Sequence, residues 1–317
     1  MDHIKRILKE FPFVVLDGGF ATELEKTGYD LKDRLWSAKI LSESPGAVRD
    51  VHLSYLYAGA DCIITSSYQA TIPGFIASGF TGNEAERLLR LSVKLAREAI
   101  DIYLDKNYDS ARPLPFAAAS AGCYGAYLAN GSEYSGSYRL TTAEYRDFHR
   151  SRLDILVNAG ADFIAFETFP NIDEASAVAE LMHDYPDVHY WVVFTATDGR
   201  HITHGELFSS CAEELASEKN IAGIGINCSK PELISPLLKS LSPHIRVPAV
   251  VYPNSGEHFN IGCDCWSEEA GRADFGLLAD EWYGSGARVI GGCCRTGPED
   301  IKKISSFRRS LGKPLQA

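Results

Sequence analysis

The sequence predicts an α/β fold, a (β/α)8 TIM-type barrel that forms a single domain over residues 1–317. Three observations carry that expectation. Short apolar runs alternate with helical patterns eight times along the chain. The runs are apolar almost throughout, as strands covered on both faces are. The polar and sulfur-bearing residues follow many different runs, whereas an open doubly wound sheet gathers them at one switch point.

The strands are expected at 13–16, 62–65, 115–120, 163–166, 190–194, 221–226, 249–252 and 288–290. Between them, Ser44-Pro45 reads as N-cap and first-turn proline of a helix that Gly59 ends, with Val48, Val51, Tyr55 and Leu56 on one face. A longer helix spans 83–106, striped by Leu89, Val93, Ala96, Ile100 and Tyr103. Thr141 and Glu144 have the spacing of a capping box for a helix ending at Gly160. Further helical patterns cover 173–183, 206–217, 231–241 and 275–283. Ala58-Gly59-Ala60-Asp61 and Ala159-Gly160-Ala161-Asp162 are two copies of one helix-stop pattern, and Ser285-Gly286-Ala287-Arg288 is a looser one. The Gly-, Tyr- and Ser-rich stretch 121–138 is too long for a mere connector.

Composition narrows the function. The 317 residues are 45% hydrophobic with a formal charge of -11, which supports a large core and argues against nucleic acid or anionic membranes as partners. The first ten residues lack a signal-peptide core, and no apolar run approaches the roughly 20 residues of a membrane span. Eight cysteines in a chain of this length are too sparse for a disulfide scaffold, so a cytoplasmic location is expected.

The chemistry centres on Val289-Ile290-Gly291-Gly292-Cys293-Cys294-Arg295. Adjacent strand residues point to opposite faces, so two neighbouring thiols converge only past a strand end. Gly291 and Gly292 are expected to allow the turn through their dihedral freedom. Cys228 follows another apolar run, 221–226, in the same way. Three cysteines at strand ends suit a thiophilic metal, with Zn2+ the first choice. Small buried hydrophobes, or a vicinal redox pair at Cys293 and Cys294, are the plainer readings. Three thiolates blunt zinc's acidity toward water, but an exogenous thiol in a fourth position binds as a nucleophilic thiolate. Such a site suits alkyl transfer to sulfur.

Here the residues carry a resemblance. Asp17-Gly18-Gly19-Phe20-Ala21-Thr22-Glu23-Leu24, Leu35-Trp36-Ser37-Ala38-Lys39, Ser67-Tyr68-Gln69-Ala70-Thr71 and Tyr124-Gly125-Ala126-Tyr127-Leu128 resemble homocysteine S-methyltransferases. So do Glu167-Thr168-Phe169-Pro170-Asn171, Gly225-Ile226-Asn227-Cys228, 251–257 and Gly291-Gly292-Cys293-Cys294-Arg295, in the same order from about residue 13 to 300. The likeness is greatest to the branch that uses S-methylmethionine. It implies a zinc-dependent barrel that converts L-homocysteine to methionine with S-methylmethionine or S-adenosylmethionine as donor. It also implies Cys228, Cys293 and Cys294 as metal ligands and catalytic centre. One departure is Cys123, where relatives carry proline before the Tyr-Gly pair; it is not assigned to the metal.

Backbone N–H groups around Phe20, Ala21 and Thr22 are expected to hold the substrate carboxylate, with Asp17 and Glu167 facing its ammonium group. Asp17 could equally cap its own glycine turn. Asn227 either positions the same amino acid or satisfies turn backbone. Tyr68, Tyr124 and Phe169 are aromatic candidates for facing a sulfonium, although packing is the commoner role. Three alternatives stay open: selenocysteine as methyl acceptor, a zinc hydrolase, and a structural zinc site closed by Cys263 or Cys265. The hydrolase is disfavoured by the sulfur set and by the lack of a His-x-His pair after the first strand. A monomer or weak homo-oligomer is expected.

Overall fold

The computed structural model describes residues 1–107, 109–161, 163–260, 265–267 and 273–312. The predicted helix-stop residue Asp162 and the candidate ligand Cys263 lie outside them. Ten strands occur in the described residues: β1 (Val14–Val15), β2 (Cys62–Ile64), β3 (Phe116–Gly122), β4 (Phe163–Phe169), β5 (His189–Phe194), β6 (Ile221–Asn227), β7 (Ala249–Tyr252), β8 (His258–Asn260), β9 (Cys265–Ser267) and β10 (Ala287–Ile290). Eight of them run parallel in the order β1-β10-β7-β6-β5-β4-β3-β2, and β8 and β9 form a separate antiparallel ribbon. The sheet closes on itself. Leu16 bridges Cys62 in parallel, Asp17 N donates to Cys62 O at 3.1 Å, and Asp61 N donates to Val15 O at 2.8 Å. The eight expected strands are therefore those of a closed barrel with helices between them.

Both faces of each strand are buried, which explains the nearly unbroken apolar runs. Val14, Leu16, Phe116, Phe163, Ala165, Trp191, Val193, Val250 and Val289 fill the interior, while Val15, Ile63, Phe166, Val192, Ile224 and Ile290 face the helices. Phe163 lies 5.0 Å from Trp191 between ring centroids, and Trp191 Nε1 donates to Tyr252 Oη at 3.2 Å. An interior filled by large rings is a packed core. The helix His3–Leu8 closes the N-terminal end by placing Ile4 and Ile7 in that core. Function is left to the opposite end, where the strands' carboxyl ends open.

Helix boundaries match the expected patterns within a few residues, and the capping box at Thr141 and Glu144 is present. Several features were not legible. Ser44 stands at the N-cap of Pro45–Ala58 without capping it; its hydroxyl instead receives Tyr29 Oη at 2.7 Å. The stretch 121–138 contains its own short helix, Tyr124–Leu128, and a tight turn at Ser132–Tyr134. The helices His3–Leu8 and Pro298–Leu311 were also not anticipated.

Candidate metal centre and substrate pocket

Cys228 directly follows β6, and Cys293 and Cys294 follow β10 after the two residues Gly291 and Gly292. The three sulfurs lie within 4.8 Å of one another, each in a half-buried residue. A tetrahedral ion with sulfurs at about 2.3 Å requires them roughly 3.8 Å apart, so the donor set fits a thiophilic metal. Among the described residues no further His, Cys, Asp or Glu joins the cluster. In the structure Cys228 and Cys293 form a disulfide with their Cα atoms 5.5 Å apart, and Cys294 is a free thiol. The alternative of a redox pair between the neighbours Cys293 and Cys294 is not the pair that is joined. All three sulfurs become available to a metal once that bond is reduced. Burial, with Glu25 adding to it, pushes the Cys294 thiol up to about 12.

The reason for the two glycines differs from the expected one. Neither has a positive φ; the left-handed residues here are Cys228 (φ 43) and Arg295 (φ 66). A Cβ at Gly291 would lie 2.5 Å from Leu16 Cβ, and one at Gly292 would collide with the Thr296 side chain. Gly291 permits close approach of the end of β1, and Gly292 lets Thr296 fold against the sulfur loop. That loop is pinned on several sides. Cys293 N donates to Pro253 O at 2.7 Å, Ser255 N to Cys294 O at 3.0 Å, and Arg295 Nε to Glu257 at 2.6 Å.

Two predicted carboxylates meet beside the sulfurs. Asp17 does not cap its own turn: its Oδ2 accepts from Ile64 N at 2.7 Å, across the seam of the barrel. Burial raises its carboxyl well above the usual range, and the charge of Glu167 raises it further. Glu167 accepts hydrogen bonds from Ser120 Oγ and, at 3.1 Å, from Tyr252 Oη. Burial lifts Glu167 to about 7 against those stabilising bonds. The interior therefore reaches the mouth through Trp191, Tyr252 and Glu167 in turn. Two coupled, buried carboxylates make a site that favours an entering cation.

The helix Phe20–Lys26 begins beside them, behind Gly19, with no side-chain cap. Among the described residues the N–H groups of Phe20, Ala21 and Thr22 donate to no protein acceptor. The Thr22 hydroxyl accepts from Arg295 N at 2.9 Å and ties this turn to the sulfur loop. Asn227 is buried and both ends of its amide hold Thr168: Oδ1 accepts from Thr168 N at 3.0 Å, and Nδ2 donates to Thr168 Oγ1 at 2.9 Å. Thr168 has φ 65, so Asn227 stabilises a left-handed residue next to Glu167. These bonds satisfy the turn backbone beside Glu167.

The aromatic candidates separate. Phe169 is buried against His149, with ring centroids 5.8 Å apart, and Tyr124 packs among Tyr127, Tyr138 and Phe148. Tyr68 lies edge-on to Trp36, centroids 6.0 Å apart, and close enough to Gly122 to exclude any Cβ there. Cys123 is fully buried and outside the sulfur cluster. Its φ of -68 is the value a proline imposes, so the loop keeps its shape without one.

A buried polar network under this loop escaped the sequence reading. Glu174 accepts from Tyr124 N and Tyr138 Oη, both at 2.6 Å, and pairs with His149 Nε2 at 2.8 Å. Arg152 bridges His149 Nδ1, at 2.7 Å, to Gly122 O. Glu174 lies one turn into a helix and reads as a first-turn acid; only the packed loop above it reveals the role.

Fold and site together define a (β/α)8 barrel whose mouth carries a cluster of three cysteines beside two buried carboxylates. The family model described as homocysteine S-methyltransferase matches residues 14–307. The chain is 46% identical to homocysteine S-methyltransferase YbgG of Bacillus subtilis, covering 98% of this chain and 99% of that one. It is also 46% identical to homocysteine S-methyltransferase 1 of Zea mays, over 92% and 93% of the two chains. The homocysteine methyltransferase MmuM of Escherichia coli superposes in its metallated form with a TM-score of 0.86 at 40% identity, and in its oxidized form with 0.86 at 42%. Each comparison covers 96% of this chain and 99% of that one. The chain is an enzyme of the homocysteine S-methyltransferase family.

Proposed function

We propose that the protein methylates L-homocysteine to methionine with a sulfonium donor, S-methylmethionine or S-adenosylmethionine, in a zinc-dependent reaction on one barrel spanning the chain. The observation that carries this reading is the convergence of Cys228, Cys293 and Cys294 beside the Asp17–Glu167 pair. Zinc held by the three sulfurs would lower the acceptor's thiol pKa and keep a nucleophilic thiolate at neutral pH. The chain's own residues fix the rest of the amino acid. Asp17 and Glu167 take its ammonium, and the free N–H groups of Phe20, Ala21 and Thr22 take its carboxylate. Asn227 acts as a positioning residue through Thr168. The half-buried sulfurs require a reducing compartment such as the cytoplasm to stay available.

A purified, reduced, zinc-loaded sample should form methionine from homocysteine and S-methylmethionine. Cobalt in place of zinc should show thiolate charge-transfer bands that shift on adding homocysteine but not its desulfurised analogue. Changing Cys228, Cys293 or Cys294 to Ser should abolish metal retention, and Cys123→Ser should not. Full zinc content in Cys294→Ala would remove it from the ligand set.

A further inference from the structure

The turn Ser132–Tyr134 hangs over the mouth from the β3 side and carries a carboxylate that the reading above leaves unused. Glu133 is 7% exposed, and its Oε2 is buried without a hydrogen-bond partner among the described residues. No described cation pairs with either oxygen. Its backbone is held firmly nonetheless. Glu133 O accepts from Thr195 Oγ1 at 3.1 Å, and Thr195 Oγ1 accepts from Thr203 Oγ1 at 2.7 Å. A Cβ at Gly125 would lie 2.7 Å from Glu133 N. Burial lifts the Glu133 carboxyl to about 7, and a cation entering beside the unpartnered oxygen would favour its ionised form.

Its surroundings say which charge. The Glu133 carboxylate acts electrostatically on Tyr68, Tyr134, Cys123 and the Cys294 thiol. It does not figure among the influences on Asp17, which Glu167 helps to raise, or on Glu167, which Ser120, Tyr252 and Arg152 pull down. Cys294 feels both Glu133 and Glu167. The sulfur cluster is therefore flanked by two separate anionic sites. Methyl transfer between two amino acids brings two ammonium groups to that one place.

We propose that Glu133 binds the α-ammonium group of the sulfonium donor and so selects amino-acid sulfonium compounds. This rests on the function proposed above and adds its second substrate subsite. The sulfonium charge vanishes during transfer, so a carboxylate placed on it would stabilise the ground state and slow the reaction. The ammonium charge is unchanged from start to finish. A carboxylate there binds ground and transition states alike, lowering the donor KM without altering kcat. The ring of Tyr68 is left to face the sulfonium itself.

The test compares wild type, Glu133→Gln and Glu133→Asp, each checked for zinc content and thermal transition. The donors are S-methylmethionine and dimethylsulfoniopropionate, a sulfonium that lacks the ammonium. Glu133→Gln should raise the S-methylmethionine KM about tenfold or more, consistent with loss of one charge-assisted contact, with kcat within about twofold. The homocysteine KM should stay unchanged, and Glu133→Asp should recover part of the loss. The preference for S-methylmethionine over the desamino donor should shrink by the same factor. An unchanged S-methylmethionine KM would overturn the assignment. A rise confined to homocysteine would move Glu133 to the acceptor site, and an equal loss with both donors would place it on the sulfonium; either overturns it. Wild-type protein that makes no methionine from any sulfonium overturns the underlying function as well, and is seen before any variant is made.

Discussion

Glu167 is held in a balance that the charge of a ligand can tip. Burial raises its carboxyl to about 7, while Ser120, Tyr252 and the field of Arg152 pull it down. Between the ordinary value near 4.5 and about 7 the folded chain holds a proton that the unfolded chain has released. For the free fold, the contribution of Glu167 to stability therefore declines as pH rises through that window. An ammonium placed beside it favours the carboxylate, so binding must expel the proton. Methionine has no thiol to titrate and isolates the effect. Calorimetry with methionine at pH 6.5, in buffers of different ionisation enthalpy, should show proton release that fades by pH 8 and is reduced in Glu167→Gln. Proton uptake, or release unaltered by the substitution, would take Glu167 out of the ammonium site. Asp17, Glu167 and the three cysteines were legible because a polar residue just past an apolar strand has one place to go in a barrel. Glu133 was not, because an acidic residue in a Gly- and Ser-rich stretch is usually solvated. The folded loop buries it, with Thr195 and Gly125 packed against its backbone.

At the level of elements, strand ends and seams do most of the positioning. Thr168, Cys228 and Arg295 are non-glycine residues with positive φ, and they lie just inside or beyond the ends of β4, β6 and β10. Each turns the chain sharply where a site residue must leave the sheet, at a conformational cost of about 1–3 kcal/mol. Sequence pattern finds the strands but not these turns, since nothing in Thr, Cys or Arg announces a left-handed backbone. The seam between β1 and β2 shows the same limit. The Pro298–Leu311 helix, unread in the sequence, sends Arg308 to the carboxylate of Asp61, whose Oδ2 also accepts from Val15 N at 2.9 Å. Asp61 was visible only as part of a helix-stop pattern; its partner lies 247 residues away. Arg308→Ala removes the nearer partner of buried Asp61 and leaves it Arg112 at 3.9 Å, so the loss in urea unfolding should be at the lower end for a broken buried pair, about 3 kcal/mol. Because the seam carries Asp17, metal-dependent methionine formation should fall as well. A loss under about 1 kcal/mol would mean that β1 and β2 close without the pair.

The whole molecule brings β1, β4, β6, β10 and the loop after β3 to one opening, which no local segment encodes. The repeating strand–helix pattern made the barrel legible, and the barrel then placed distant motifs together. That assembly constrains which methyl donors can react. A thiolate and a sulfonium start with opposite charges and end as neutral thioethers. Low dielectric around the mouth strengthens their attraction and favours that collapse. The leaving thioether needs no proton, so the chain needs no general acid for it. A neutral donor such as methyltetrahydrofolate leaves as an anion and must be protonated. The buried histidine–carboxylate pair beneath the mouth loop cannot serve, because His149 is joined to Arg152 and Glu174 to the loop backbone. Glu167 has a raised pKa, but a bound ammonium draws it to the ionised form and removes it as an acid. Turnover is therefore expected with S-methylmethionine, comparable or slower with S-adenosylmethionine, and absent with methyltetrahydrofolate. Single-turnover methionine formation, measured for each donor at saturating homocysteine, is the direct comparison. Methionine formed from the folate by the pure protein, without cobalamin, would show that a protonated mouth carboxylate, Glu133 with its carboxyl at about 7 being the first candidate, serves as that acid.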